Sequence, residues 1–151
     1  MVSTKLSARE VVARVVDPEI PVLTIEDLGV LRSVDLDGER VVVTITPTYS
    51  GCPAMGQIED DIKRALTRVG FADVGINVVY QPAWTTEWMS DEARAKLEDF
   101  GIAPPTAPSN VRCPKCRRGD SRLIAQFGST ACKALMVCSA CGDPFDYFKE
   151  H

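Results

Sequence analysis

Cys113-Pro114-Lys115-Cys116 and Cys138-Ser139-Ala140-Cys141 are two C-x-x-C turns separated by 21 residues. Each turn can bring two sulfurs onto one metal ion, and two turns from the ends of a small hairpin close a tetrahedral thiolate shell. The gap is one residue beyond the usual upper spacing of about 20 for this pattern. It leaves room for a hairpin running out over Leu123 to Phe127 and back over Ala134 to Val137. Gly119 and Gly142 follow the two turns and supply backbone freedom. A stretch of only about forty residues scarcely folds without such a staple. Residues 111–151 therefore read as a zinc ribbon with Cys113, Cys116, Cys138 and Cys141 as ligands. Spacing alone leaves zinc and a rubredoxin-type iron both open. The closed shell has no free coordination position, so no catalysis is assigned to it.

Working back from the ribbon, Pro104, Pro105, Ala107, Pro108, Ser109 and Asn110 read as a linker over 104–110. Residues 1–103 before it carry the marks of a small α+β domain. Ser7 and Glu10 form an S-x-x-E capping pattern ahead of Ala8, Val11, Val12, Val15 and Val16 at helical spacing. Asp17-Pro18 ends that helix, and Asp17 to Asp27 reads as an irregular acidic loop. Val30 to Leu36 and Arg40 to Thr46 read as strands joined at Asp37-Gly38. Pro53 suits the first turn of a helix whose stripe is Met55, Ile58, Ile62, Leu66 and Val69. Val74, Ile76, Val78 and Tyr80 alternate as a third strand. Ser90 caps a last helix with Asp91 and Glu92 in its first turn and Gly101 after its end.

The 151 residues are 45% hydrophobic and 25% charged, a composition with enough apolar side chains for a core. No run of about 18 apolar residues occurs, and Met1 to Glu10 carries no apolar export signal. A cytoplasmic location is expected, and with it metal or thiol chemistry for the six cysteines rather than disulfides. The formal charge of −4 is divided. Residues 1–110 hold 10 Lys/Arg against 17 Asp/Glu, and residues 111–151 hold 7 against 4. The acidic part argues against nucleic-acid binding, although Arg112, Lys115, Arg117, Arg118 and Arg122 make the ribbon basic.

Cys52 lies in Thr46-Pro47-Thr48-Tyr49-Ser50-Gly51-Cys52-Pro53, directly before a predicted helix. A helix start stabilises a thiolate and lowers its pKa below the free value of about 8.5. Such a thiol is a better nucleophile or metal ligand. Thr46, Thr48 and Ser50 can add hydroxyl donors, and Asp17 and Glu19 lie in another loop that can approach. No base supports a cysteine hydrolase, because the single histidine is His151 at the terminus. Cys132 reads either as a small buried apolar residue or as a contact or transient ligand beside Lys133. Trp84 and Trp88, four apart, read either as core or as anchors for a partner.

Asp17-Pro18-Glu19-Ile20-Pro21, Asp27-Leu28-Gly29 and Thr46-Pro47 through Cys52-Pro53 resemble the MIP18-like family, also called domain of unknown function 59, over roughly residues 7–80. Three residues separate Thr48 from Cys52, a departure from the usual loop. The resemblance implies iron–sulfur cluster assembly, with transient iron or a cluster as cargo at Cys52. Gln81-Pro82-Ala83-Trp84-Thr85-Thr86-Glu87-Trp88-Met89-Ser90, Gly101-Ile102-Ala103-Pro104-Pro105, Phe127-Gly128-Ser129-Thr130, Cys132-Lys133-Ala134-Leu135 and Pro144-Phe145-Asp146-Tyr147-Phe148-Lys149 resemble the D (or J) subunits of bacterial ring-1,2-phenylacetyl-CoA epoxidase systems. That likeness spans nearly the whole chain and implies a place in aerobic phenylacetate degradation. The partners it implies are the oxygenase or reductase components, with a homodimer also open. The chain has no paired Glu-x-x-His helices, no Gly-rich dinucleotide fingerprint and no ferredoxin cysteine run. An accessory component is expected, either a maturation factor acting through Cys52 or a docking subunit using the Trp84/Trp88 segment and the basic ribbon, with Cys132 and Lys133 as further candidate contacts.

Overall fold

The computed structural model describes residues 4–48, 54–128, 130 and 132–150, the side chains of 4–7 excepted. The chain divides into two compact units, Met1–Trp88 and Met89–His151. The division falls earlier than the proline-rich stretch that suggested a boundary near residue 103.

In the first unit, α1 (Thr4–Ala13) precedes a two-stranded ribbon, β1 (Val16–Asp17) and β2 (Ile20–Thr24), and a single helical turn, α2 (Ile25–Leu28). The helix therefore begins before Ser7, which lies inside it, and ends at Ala13. Val16 leaves it to pair with Thr24. The turn between β1 and β2 is held by the Asp17 carboxylate, which accepts the Glu19 N–H at 2.7 Å and the Ile20 N–H at 3.3 Å. The supposed acidic loop is thus largely regular. At its end Thr24 and Asp27 form a reciprocal capping box: Thr24 Oγ1 accepts the Asp27 N–H, and Asp27 Oδ2 accepts the Thr24 N–H. Gly29 closes α2 at φ +81°, a left-handed conformation.

β3 (Leu31–Asp37) and β4 (Arg40–Ile45) form the antiparallel hairpin expected at Asp37-Gly38. α3 (Ala54–Arg68) then crosses to β5 (Asp73–Val78), which lies parallel to β4, giving the order β3-β4-β5. A parallel neighbour requires such a crossover helix. The buried residues of α3 are Ala54, Ile58, Ile62 and Leu66, while Val69 is 54% exposed just past the helix end. Tyr80 is likewise exposed, beyond the end of β5. Ala8, Val12, Leu23, Ile25, Val41, Val43 and Ile45 are also buried in this unit.

The second unit opens with α4 (Asp91–Phe100), capped by Ser90 Oγ accepting the Ala93 N–H and closed by Gly101 at φ +96°. The strand β6 (Ile102–Ala103) follows directly. The ribbon supplies β7 (Ser121–Ala125), β8 (Lys133–Cys138) and β9 (Pro144–Phe148). The sheet order is β6-β9-β8-β7, with β6 parallel to β9 and the other pairs antiparallel. The expected hairpin is present, but a third ribbon strand and a strand from before the linker extend it. The linker is tied down: Arg94 donates to Pro105 O at 2.7 Å and the Tyr147 hydroxyl donates to Thr106 O. Ala103, Val111, Cys113, Ala134, Met136, Cys138, Phe145 and Tyr147 form one core cluster.

Candidate metal centre and thiol site

The two C-x-x-C turns share one backbone design. Arg117 N–H donates to Cys113 O and Gly142 N–H to Cys138 O, both at 2.8 Å. Cys113 N–H donates to Arg118 O and Cys138 N–H to Asp143 O, both at 2.9 Å. The left-handed residue closing each knuckle is Gly142 at φ +80° and Arg117 at φ +65°. Arginine thus occupies the position in the first knuckle for which Gly119 is the sequence candidate. Its guanidinium pairs with Glu98 on α4. Lys115 Nζ on one knuckle meets Asp143 Oδ2 on the other at 3.1 Å, and that hydrogen bond raises the Lys115 pKa.

These turns bring the four sulfurs within 4.8 Å of one another. Cys113 Sγ lies 3.8 Å from Cys141 Sγ, and Cys116 Sγ lies 3.5 Å from Cys138 Sγ. A tetrahedral ion with metal–sulfur bonds of about 2.3 Å spaces its sulfurs about 3.8 Å apart. The donor set and its geometry therefore fit a tetrahedral thiolate metal. Protons alone serve the cluster poorly. The Cys141 N–H, 3.4 Å from Cys138 Sγ, holds the Cys138 thiol down to about 7. Cys141 goes the other way. The Asp143 N–H favours its thiolate, but burial and the neighbouring Cys138, Cys113 and Cys116 thiols push it up to about 11. A divalent cation in the centre removes this conflict among crowded thiolates.

Cys52 lies outside the described residues, as do Tyr49, Ser50, Gly51, Pro53 and His151. The residues grouped with Cys52 are placed as follows. Asp17 is buried and committed to the β1–β2 turn, with Glu19 half-buried beside it in sequence. Thr46 follows β4, donates its N–H to Val30 O at 2.9 Å and is 1% exposed. Its Oγ1 is buried with no hydrogen-bond partner among the described residues. Thr48 is half-buried. A buried orphan hydroxyl is costly, by about 1–3 kcal/mol. It is the feature of this loop that a sequence pattern could not reveal.

The four candidates for partner contact divide sharply. Trp84 is 5% exposed and donates its indole N–H to Leu28 O at 2.8 Å, a core role. Cys132 is 5% exposed with Thr130 Oγ1 at 3.0 Å from its sulfur, and Lys133 is 4% exposed. All three side chains are thus buried within the chain. Trp88 ends a short 3₁₀ turn, Thr86–Trp88, and is half-buried with the Arg32 guanidinium 4.3 Å from its ring centroid. The two tryptophans thus do not share a helical face.

A MIP18-like α+β unit followed by a four-cysteine ribbon defines a two-part class, and comparison with known proteins agrees. Residues 7–78 match the family model described as iron-sulfur cluster assembly protein, and residues 101–149 match the PaaD zinc beta ribbon domain. A solved DUF59 domain from Bacillus anthracis is 35% identical and superposes with TM-score 0.57, covering 62% of this chain and 90% of that one. A conserved hypothetical protein from Thermotoga maritima is 31% identical with TM-score 0.53, covering 62% and 93%. An Fe-S protein maturation auxiliary factor from Porphyromonas gingivalis is 39% identical, covering 55% of this chain and 80% of the relative. An Escherichia coli K12 protein, provisionally named as the D subunit of 1,2-phenylacetyl-CoA epoxidase, is 49% identical across 91% of this chain and 87% of its own length. The chain belongs to the family of phenylacetyl-CoA epoxidase D subunits. Among the described residues, no helix is long and apolar enough to cross a membrane.

Proposed function

We propose that this chain is a cytoplasmic accessory factor that helps mature the iron or iron–sulfur centre of a phenylacetyl-CoA epoxidase component, the oxygenase or the reductase. One observation carries the reading: a single chain joins a match to the iron-sulfur cluster assembly family over 7–78 to a PaaD ribbon over 101–149. Cys52 is the thiol that takes the cargo, iron or a cluster, in transit. The unpartnered Thr46 hydroxyl, six residues earlier in the sequence, supports a polar occupant near this loop. Thr48 and Glu19 are the further supporting groups, while Asp17 shapes the adjoining turn. The ribbon holds one structural zinc at Cys113, Cys116, Cys138 and Cys141, closes its own fold and carries no chemistry.

The test is to produce the oxygenase and reductase components with and without this chain and to measure their iron and acid-labile sulfide. A deficit without the chain supports maturation. Full loading with lost turnover supports the second reading, a docking subunit that delivers no metal. Trp84, Cys132 and Lys133 are buried within the chain, so that reading would lean on half-buried Trp88 and the basic ribbon.

A further inference from the structure

We infer that Ser121 is a positioning residue of the ribbon's metal centre: its hydroxyl donates to the Cys138 thiolate when the metal is bound and tightens the hold on it. This rests on the four-thiolate reading of the ribbon and is independent of Cys52.

Three observations converge on this serine. First, Ser121 Oγ is buried and has no hydrogen-bond partner among the described residues. A hydroxyl shut away from water without an acceptor destabilises a fold, so such a group is rare unless something binds beside it. Second, Ser121 opens β7 directly opposite Cys138, the last residue of β8. Directly opposed residues of antiparallel strands carry their side chains on the same face. This pair is also of the close kind. The Ser121 N–H goes to Gly119 O and the Cys138 N–H to Asp143 O, so neither is given to the other residue. The bond flanking the pair runs instead from the Ser139 N–H to Asp120 O at 2.6 Å. Opposed residues that exchange no backbone bond have Cα atoms only about 4.5 Å apart, with their side chains closer than in the alternate pairs. The orphan hydroxyl therefore lies beside a side chain that carries one of the four clustered sulfurs.

Third, that sulfur needs donors. Four thiolates around a divalent cation leave two negative charges in excess. Cys141 is exposed, so water shares its part of the charge, whereas Cys138 is 0% exposed. The Cys138 sulfur accepts the Cys141 N–H at 3.4 Å, and a thiolate has lone pairs for more. A thiol sulfur accepts weakly and an ionised acceptor strongly. Metal binding thus gives the Ser121 hydroxyl an acceptor that thiols alone do not provide. Groups that hydrogen-bond to metal ligands fix their orientation and add to metal affinity.

The test compares the full parent chain with Ser121→Ala and Ser121→Thr, each loaded with zinc or with cobalt. The signs separate the two roles. Removing a mere orphan relieves a cost, so zinc affinity in chelator competition would stay the same or rise. Removing a donor to Cys138 should weaken zinc binding about tenfold, the lower end of the range for groups that support metal ligands. Threonine keeps the hydroxyl and should restore most of that loss. The thiolate-to-cobalt charge-transfer band should move to lower energy in Ser121→Ala, because a sulfur that loses a donor gives up its electron more readily, and should return in Ser121→Thr. Metal content should stay at one per chain throughout. Unchanged or tighter zinc binding by Ser121→Ala overturns the inference. Weaker binding with an unmoved band assigns the serine a packing role and also overturns it. A parent chain that takes up no metal overturns the four-thiolate reading as well, which distinguishes the two failures. If Ser121→Ala loses the ordered ribbon, the parent loaded with spin-active cadmium decides: scalar coupling between the Ser121 hydroxyl proton and the metal is expected, and its absence overturns the inference.

Discussion

Replacing Gly29 by alanine adds one methyl group at a place where two separate costs arise. The residue sits at φ +81°, where an L-residue other than glycine is strained by about 1–2 kcal/mol. Part of this, about 0.4–1 kcal/mol, is returned because alanine restricts the unfolded chain. The second cost is steric. The added Cβ would stand 2.7 Å from Trp88 Cβ and 2.9 Å from Trp88 O, so the Trp88 backbone has to move. Overpacking of this kind costs about 1–3 kcal/mol. The net expectation is a loss of about 2–3 kcal/mol from the first unit. Gly38 provides the control, because it has φ +64° with nothing within 4 Å of an added Cβ. Gly38→Ala should therefore cost only the conformational part, about 1 kcal/mol or less. Urea unfolding of zinc-loaded protein, read by tryptophan emission, measures both. Both tryptophans, Trp84 and Trp88, lie in the first unit, so the signal reports it without the ribbon. Trp88→Ala should not rescue Gly29→Ala, since it keeps the Cβ and the carbonyl that clash. Equal losses for Gly29→Ala and Gly38→Ala would refute the packing argument.

Three further outcomes follow from the ribbon. Strong chelation should remove hydrogen-exchange protection from β7 to β9 and also from α4, because β6 pairs with β9 and α4 is tied in through Glu98–Arg117 and Arg94–Pro105; protection of α4 that survives chelation would contradict this. Arg117→Gly should leave ribbon stability within about 1 kcal/mol of the parent, as relief of the left-handed residue offsets the lost Glu98 pair, while Gly142→Ala should lower it by about 1 kcal/mol in thermal melts. Zinc uptake near neutral pH must displace protons from Cys116 and Cys141, both held above the ordinary thiol value, so apparent affinity should fall at least about a hundredfold per pH unit as pH drops below about 7. Competition with a chromophoric chelator reads that slope, and release of fewer than about two protons would count against the thiol shell.

The ribbon cysteines were legible because four-ligand coordination is written in local spacing, and the structure brings those four sulfurs together. The β3–β4 hairpin and the Ser90 and Gly101 caps were legible for the same reason, as short patterns with one physical meaning. What sequence missed was set by non-local pairing. Ile20–Thr24 shows apolar residues without clean alternation, and only Ile20 and Leu23 are buried, so β2 and the Thr24–Asp27 box read as loop. Val16 continues a helical stripe but is taken by β2 instead. The parallel β6–β9 pair joins residues on opposite sides of the prolines, which makes a tethered segment resemble a free linker. Trp84 can be assigned to the core only once Leu28 O is found opposite its indole. Thr46 stands out in the sequence as a hydroxyl donor, but that its oxygen is buried and unpartnered depends on the closed fold around it.

The central claim is that Cys52 passes iron or a cluster to an epoxidase component. The most direct measurement is the iron and sulfide content of oxygenase and reductase matured beside Cys52→Ala protein, at the same expression level and zinc content as the parent. The partner should be under-loaded, with phenylacetate-dependent growth failing as a result. A fully loaded partner and growth at the normal rate on the Cys52→Ala chain would contradict the claim.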